Sequence, residues 1–226
     1  MTLSVIVPML NEERTIVAAL RAIRVGAPDG EIIVVDGRST DLSCRLAQAG
    51  CDRLIEAQRG RARQMNAGAA LTAGEVLSFV HADTIVPPEY AQNIELALAD
   101  PEIVGGWFEV ELDDPAPLSR SVGLLINIRS RVWRVAAGGQ AIFVRRDIFE
   151  RLGGFREIEI WEDLEFSRRL KRVGRIACLK PRVLTSARRW KRDGIIQTAA
   201  RIGTLRMLYL LGVRPALLKR FYTDCR

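Results

Sequence analysis

LSVIVPMLNEERTIVAALRAIRVGAPDGEIIVVDG, residues 3–37, decides the fold. Its first eight residues form a short apolar run rich in β-branched side chains. Ile16, Ala19, Leu20 and Ile23 then recur at helical spacing, and EIIVVDG at 31–37 is a second buried strand. Residues 39–50, STDLSCRLAQAG, read as a capped helix with Thr40 and Asp41 in its first turn, before a brief strand RLIEA. GRARQMNAGAALTAG at 60–74 leads through a helix into the strand EVLSFVHAD at 75–83. Strands and helices alternating at this pitch predict an α/β protein with a mostly parallel central sheet and helices on both faces. In such sheets a ligand lies beyond the carboxyl ends of the strands. Asn11, Asp36 and Asp83 each follow a strand, so three polar side chains are expected on that edge.

At 226 residues and 48% hydrophobic content the chain can bury a core as one domain. No run approaches the roughly 20 apolar residues of a membrane span, and the N-terminus lacks a basic leader, so a cytoplasmic protein is expected. Cys44, Cys51, Cys178 and Cys225 form no CxxC pair and read as reduced thiols, not a zinc site or disulfide framework. The net charge of +7 is uneven: residues 182–226 hold eleven basic against two acidic residues, leaving −2 on the rest. A basic tail on a near-neutral body points to an anionic partner. Nucleic acid is disfavoured because no nucleic-acid motif accompanies the charge.

The second half is less regular. DDPAPLSRS at 113–121 is a Pro-interrupted loop, and residues 123–155 run from a helix into a Gly-hinged strand and a further helix. IWEDLEFSRRLKRVG at 160–174 reads as an acidic turn opening a helix. Apolar residues at 195, 199, 202, 205, 208 and 209 form one helical stripe. It is suited to packing on the body, to a homodimer contact, or, with its basic neighbours, to peripheral contact at the inner face of a membrane. The expected organisation is a main domain at 1–190, with a first half at 1–105 and a second half at 106–190, and a basic helical extension at 191–226.

Several side chains are candidates for chemistry on their own terms. Pro8 fixes the chain as it leaves the first strand. Asn11 and Glu12 either cap the next helix or face a ligand. Asp36 either forms a turn before Gly37 or accepts from the edge of a nucleotide base. Arg61 and Arg63 at a helix N-terminus suit a diphosphate. His81, the only histidine, precedes Asp83 by two residues and is expected on a ribose or phosphate. Glu162 and Asp163 open a helix, where carboxylates are also favoured by the dipole. Trp161 beside them suits either a sugar face or a core.

VIVPMLNEE, IIVVDGRSTD, GRARQMNAGA, FVHADT, GGQAIFVRRDIFERLGGF and WEDLEFSRRLKRVG stand in the order seen in family 2 glycosyltransferases of the GT-A fold, and together the chain resembles that family over residues 3 to about 176. The shorter spacings and the RRW…YTD ending resemble a small bacterial subgroup associated with radical-SAM or selenodomain proteins. The resemblance implies an inverting transfer from a nucleoside-diphosphate sugar, UDP-sugar favoured, to a hydroxyl acceptor. By the same resemblance the base or ribose lies near Asp36, Asn66 helps hold the nucleotide, Asp83 binds a divalent cation (Mn²⁺ or Mg²⁺), and Asp163 is the general base beside Glu162. Where other members close over the donor with a histidine or a Gln-x-x-Arg-Trp element, SARRW at 186–190 offers Arg188 or Arg189. A nucleotidyltransferase and a non-catalytic nucleotide-sugar binder remain as alternatives. A Rossmann dehydrogenase is excluded by the absence of GxGxxG after the first strand.

Overall fold

The computed structural model describes residues 1–136 and 139–222. Ala137 and Gly138, and Thr223–Arg226 with Cys225 and the end of the basic tail, lie outside the described residues. The elements run β1 (Leu3–Met9), α1 (Ile16–Gly26), β2 (Glu31–Asp36), α2 (Ser43–Ala47), β3 (Arg53–Glu56), α3 (Arg61–Ala70), β4 (Val76–Phe79), β5 (Thr84–Ile85) and α4 (Tyr90–Leu98). There follow β6 (Ile103–Leu112), α5 (Pro117–Trp133), β7 (Ile142–Arg145), α6 (Arg146–Arg151), α7 (Glu162–Leu170), β8 (Arg175–Thr185), α8 (Arg188–Asp193), α9 (Ile195–Leu210) and α10 (Pro215–Lys219).

The strands form one eight-stranded sheet in the order β3-β2-β1-β4-β7-β6-β8-β5. The first four of that order are parallel, with Pro8 opposite Val35 and Ile6 opposite Phe79. β7 then enters antiparallel between β4 and β6, and β8 pairs parallel with β6 but antiparallel with β5. The parallel half is the one expected from the alternating strands and helices; the mixed half is built from β6 and β8, two long strands the sequence does not announce.

Two apolar layers cover the sheet faces. One collects Val5, Val7, Ile16, Leu20, Ile23, Val34, Tyr90 and Phe108 under α1 and α4; the other collects Ile6, Val35, Met65, Phe79, Trp107, Phe149 and Phe166 under α3, α6 and α7. Gly68 lets α3 lie close on the sheet: a Cβ there would come within 2.5 Å of Ile6 Cγ2 and 2.9 Å of Val35 Cγ2. Gly106 in β6 is as tightly placed: a Cβ there would come within 2.2 Å of the Ala177 carbonyl oxygen. α5 is fastened to β6 by Asn127, whose Oδ1 accepts the Val110 N–H at 2.8 Å while its Nδ2 donates to the Val110 carbonyl at 2.9 Å.

The C-terminal helices are not an appendage. Leu205 and Leu218 are buried with Val135, Ile160, Trp161 and Leu164. The stripe on α9 therefore packs on the body through Leu205 and Tyr209, whereas Leu208 is partly open to solvent.

Candidate active site

A cavity of about 510 Å³ opens where the carboxyl ends of β1 and β4 meet the C-terminal helices. Leu10, His81 and Asp83 come from those strand ends, Gly60 and Arg61 from the start of α3, and Ile126 and Arg129 from α5. Trp161 and Asp163 enter from the start of α7, Thr185, Ser186, Arg188, Arg189 and Trp190 from the end of β8 and α8, and Ile202, Arg206, Lys219 and Tyr222 from the last helices. Residues from both halves of the expected main domain and from the extension thus line one cavity.

Arg188 ties the first and last parts of the chain together. Its guanidinium donates through Nη1 to Glu12 Oε2 at 2.8 Å, through Nη2 to Glu12 Oε1, and through Nη2 to Asp83 Oδ2 at 3.0 Å. Glu12 is buried and also receives Thr15 Oγ1 at 2.9 Å. A forked guanidinium on a buried carboxylate is a charge-assisted contact with a fixed direction. It sets Arg188 at the strand ends, facing the space a ligand would take.

Opposite it, α7 presents its N-terminus. Glu162 is 2% exposed and pairs with Arg61 Nε at 2.9 Å, so the Arg61 side chain bridges α3 to α7. Asp163 lines the cavity and its Oδ1 accepts the Leu164 N–H at 2.7 Å. The positive end of the helix dipole favours negative charge at both positions. α7 is held in this pose by Arg169, which bonds Glu165 and reaches the carbonyls of Leu152 at 2.6 Å and Gly154 at 2.8 Å. Trp161 sits at φ 64°, ψ 32°, a left-handed conformation unusual for a bulky residue. Its ring lies 5.4 Å from Tyr209 and 6.1 Å from Tyr222, and Arg189 stacks on Tyr222 at 4.6 Å and donates to its hydroxyl. Trp161 is therefore both packed and part of the cavity wall.

Several expected site residues lie elsewhere. Asn11 has φ 52° and does not cap α1; its Oδ1 accepts the Thr40 N–H at 2.9 Å and so holds the loop after β2. Asp36 closes that same loop, with Oδ2 accepting the N–H groups of Arg38 and Ser39, each at 2.9 Å, and Oδ1 accepting the Ser39 hydroxyl. The turn-forming role of Asp36 is the one observed, because local donors reach its oxygens first. Arg63 points outward to Glu157 at 2.8 Å. Asn66 clamps the Phe155 backbone, donating to its carbonyl at 2.8 Å and accepting its N–H at 2.9 Å. Pro8 is buried inside β1 one residue before its end. Arg61 and Arg63 are neighbours in sequence, but two steps of 100° along a helix turn their side chains to different surroundings. Cys44, Cys51 and Cys178 are free thiols, and burial together with the Asp36 side chain pushes Cys44 up to about 11.

The residues around Asp83 do not fit a resident divalent cation. Among the described residues no group of three or more His, Cys, Asp or Glu side chains is arranged to hold a metal. Asp83 offers one carboxylate, already engaged by Arg188. Hard cations need several oxygen donors at short range; beside Asp83 the chain offers the His81 imidazole and, across the same Arg188 guanidinium, the Glu12 carboxylate, itself already engaged. Positive charge at this strand end is supplied by a guanidinium instead.

Motif reading did not anticipate Arg59, Gln64, Arg129, Glu159, Ile202, Arg206 and Tyr222, all of which line the cavity. Gln64 donates from Nε2 to the carbonyls of Met9 at 2.7 Å and Val35 at 2.8 Å, tying α3 to the ends of β1 and β2. Only Tyr222 carried a signal, the YTD ending; the arginines look like ordinary surface charge in sequence.

The profile of glycosyl transferase family 2 matches residues 4–153. An uncharacterised glycosyltransferase, alr2836, of Nostoc sp. is 30% identical over 122 residues, which is 50% of this chain and 38% of that protein. S. aureus TarS 1–349 crystallised with UDP-GlcNAc superposes with a TM-score of 0.68 at 18% identity, covering 82% of this chain and 58% of that one. The mannosyltransferase PcManGT of Pyrobaculum calidifontis, in complex with GDP-Man and Mn²⁺, gives a TM-score of 0.66 at 23% identity, covering 91% and 61%. The chain thus spans less than two thirds of the length of each of these relatives. With the parallel half-sheet and the cavity at its carboxyl edge, the match over 4–153 establishes that the chain belongs to glycosyl transferase family 2.

Proposed function

We propose that the protein is an inverting glycosyltransferase that moves a sugar from a nucleoside-diphosphate sugar, UDP-sugar favoured, to a hydroxyl acceptor. The observation that carries this reading is the placement of Asp163, Asp83 and Arg188 on the walls of one cavity at the carboxyl edge of the sheet, with buried Glu12 holding Arg188. In this mechanism the acceptor hydroxyl gives its proton to the Asp163 carboxylate while its oxygen bonds to the anomeric carbon. The bond from that carbon to the diphosphate breaks on the opposite face, inverting the configuration. Arg188, held by Glu12 and Asp83, receives the charge developing on the diphosphate, and Arg61 adds positive charge from the start of α3. Glu162 positions Arg61. The aromatic wall of Trp161 and Tyr222 offers an apolar face to a sugar ring.

The experiment is a panel of UDP- and GDP-sugars, scored for binding and for release of nucleoside diphosphate with candidate acceptors. Asp163→Asn is expected to lower kcat by about 10²–10⁴-fold while nucleotide-sugar binding persists. Binding without turnover in the native protein with every acceptor would make it a nucleotide-sugar binder.

Peripheral membrane contact belongs to the same proposal and is supported by exposed apolar side chains. On α5, Leu118, Leu124, Leu125, Ile128 and Val132 are open to solvent, Val132 to 69%. The C-terminal helices add Ile196, Met207, Leu211, Leu217 and Phe221. Apolar side chains beside the basic segment suit an anionic lipid surface. No helix among the described residues is long and apolar enough to cross a membrane.

A further inference from the structure

The cavity holds more positive charge than the contacts so far described use. Arg61 is paired with Glu162, Arg188 with Glu12 and Asp83, and Arg189 with Tyr222. Arg129 is different. Its Nε and Nη2 are buried yet have no hydrogen-bond partner among the described residues, and the same is true of Arg206 Nε. Both side chains line the cavity that holds Asp163.

Dry, unpaired guanidinium nitrogens are costly, because the hydrogen bonds lost from water are not replaced. A chain that keeps three of them, on two arginines, in one cavity wall has placed them for a group that arrives later. Arg129 is also held in position: it lies two residues after Asn127, whose amide clamps α5 to Val110 of β6. Arg206 follows Leu205, which is buried against Trp161 and Leu164, the residues flanking Glu162 and Asp163. Burial lowers the Arg129 pKa from its ordinary value, and the nearby Asp163 carboxylate acts in the opposite sense. That interaction places the guanidinium near the carboxylate proposed to take the acceptor's proton, in the wall of the same cavity.

We infer that Arg129 and Arg206 form an oxyanion subsite for a phosphate or carboxylate carried by the acceptor molecule. A planar guanidinium presents parallel N–H donors to two oxygens of such a group, which fixes both its distance and its orientation. The subsite selects acidic acceptors over neutral polyols and aims the hydroxyl near that acid group at Asp163. The inference rests on the glycosyltransferase reading only in calling the occupant an acceptor.

The test is calorimetric titration of the protein, with and without saturating UDP, using inorganic phosphate, glycerol 3-phosphate, glycerate and glycerol. Vesicles containing phosphatidate form a separate arm that distinguishes a lipid-borne phosphate from a soluble one. We expect at least one of the phosphate or glycerate ligands to bind alongside UDP and glycerol not to bind. Arg129→Met and Arg206→Met should each weaken that binding by about tenfold or more, the loss expected for hydrogen bonds to a charged group. Arg129→Lys should recover part of it, because charge returns without the fork. Oxyanion binding that is unchanged in both Met variants, or that is lost on adding UDP, overturns the inference; the second result would assign the arginines to the donor diphosphate. If UDP and GDP fail to bind but an oxyanion still binds through Arg129, the subsite stands and the glycosyltransferase reading falls.

Discussion

Asp83 shows how one neighbour changes a residue's chemistry. In sequence it reads as half of a metal-binding pair with His81 in place of the other acid; in the fold its carboxylate is taken by Arg188, 105 positions away. That partner is invisible to motif reading, since nothing local to FVHADT announces it. A cation acting as Lewis acid contributes several kcal/mol, so its removal would cost orders of magnitude in rate. We expect chelation by EDTA to lower turnover by less than about threefold, with Arg188 carrying the charge instead. His81→Asp, which adds a second carboxylate beside Asp83, is expected to make turnover respond to Mn²⁺. Assays of the native and variant proteins with EDTA and with Mn²⁺ decide this, and a collapse of native activity in EDTA would return Asp83 to the role of metal ligand. Asp36 gives the complementary lesson. VVDG admits a turn-forming and a base-binding interpretation, and in the fold the Asp36 carboxylate accepts the N–H groups of Arg38 and Ser39, each at 2.9 Å.

At the scale of elements, the strands and helices up to β4 were legible because β1, β2 and β4 are largely apolar runs that alternate with helices. β6 and β8 were not. Gly105 and Gly106 interrupt the first, and Lys180, Pro181 and Arg182 break up the second, much of which is open to solvent. Their pairing comes from tertiary register, with irregularities after Ile103 and Phe108, and not from local pattern. α3 matters most to the site, since it delivers Gly60, Arg61 and Gln64 to the cavity while packing on β1 and β2. Its closeness depends on Gly68. Gly68→Val would drive a branched side chain into Ile6 and Val35, and overpacking of this kind costs about 1–3 kcal/mol. Thermal unfolding should show a lowered Tm, and nucleotide affinity should fall with it, because Arg61 and Gln64 ride on the same helix. An unchanged Tm would mean that α3 can slide on the sheet.

The whole molecule carries its charge and its uncovered apolar surface together. The basic excess after residue 182 was evident in composition, but its division of labour was not: Arg188, Arg189, Arg206 and Lys219 turn inward to the cavity. Also hidden in sequence was the outward face of α5, where Leu125, Ile128 and Val132 stand exposed. If that face meets a bilayer, the protein should sediment with vesicles containing anionic lipid more strongly than with zwitterionic ones, and less as salt is raised. The double substitution Leu125→Glu with Ile128→Glu should reduce sedimentation by about tenfold, each burying an apolar group worth roughly 1.5–3 kcal/mol in the native contact. Sedimentation unaffected by the pair would leave α5 to some other neighbour. Trp161 brings a different consequence to the same scale. Its left-handed backbone costs about 1–3 kcal/mol that a glycine at the position would not incur, while its ring helps wall the cavity. Removing that buried ring costs about 3–5 kcal/mol, more than the backbone would recover, so Trp161→Gly should lower both Tm and turnover, and a library screened for either property alone would keep the tryptophan.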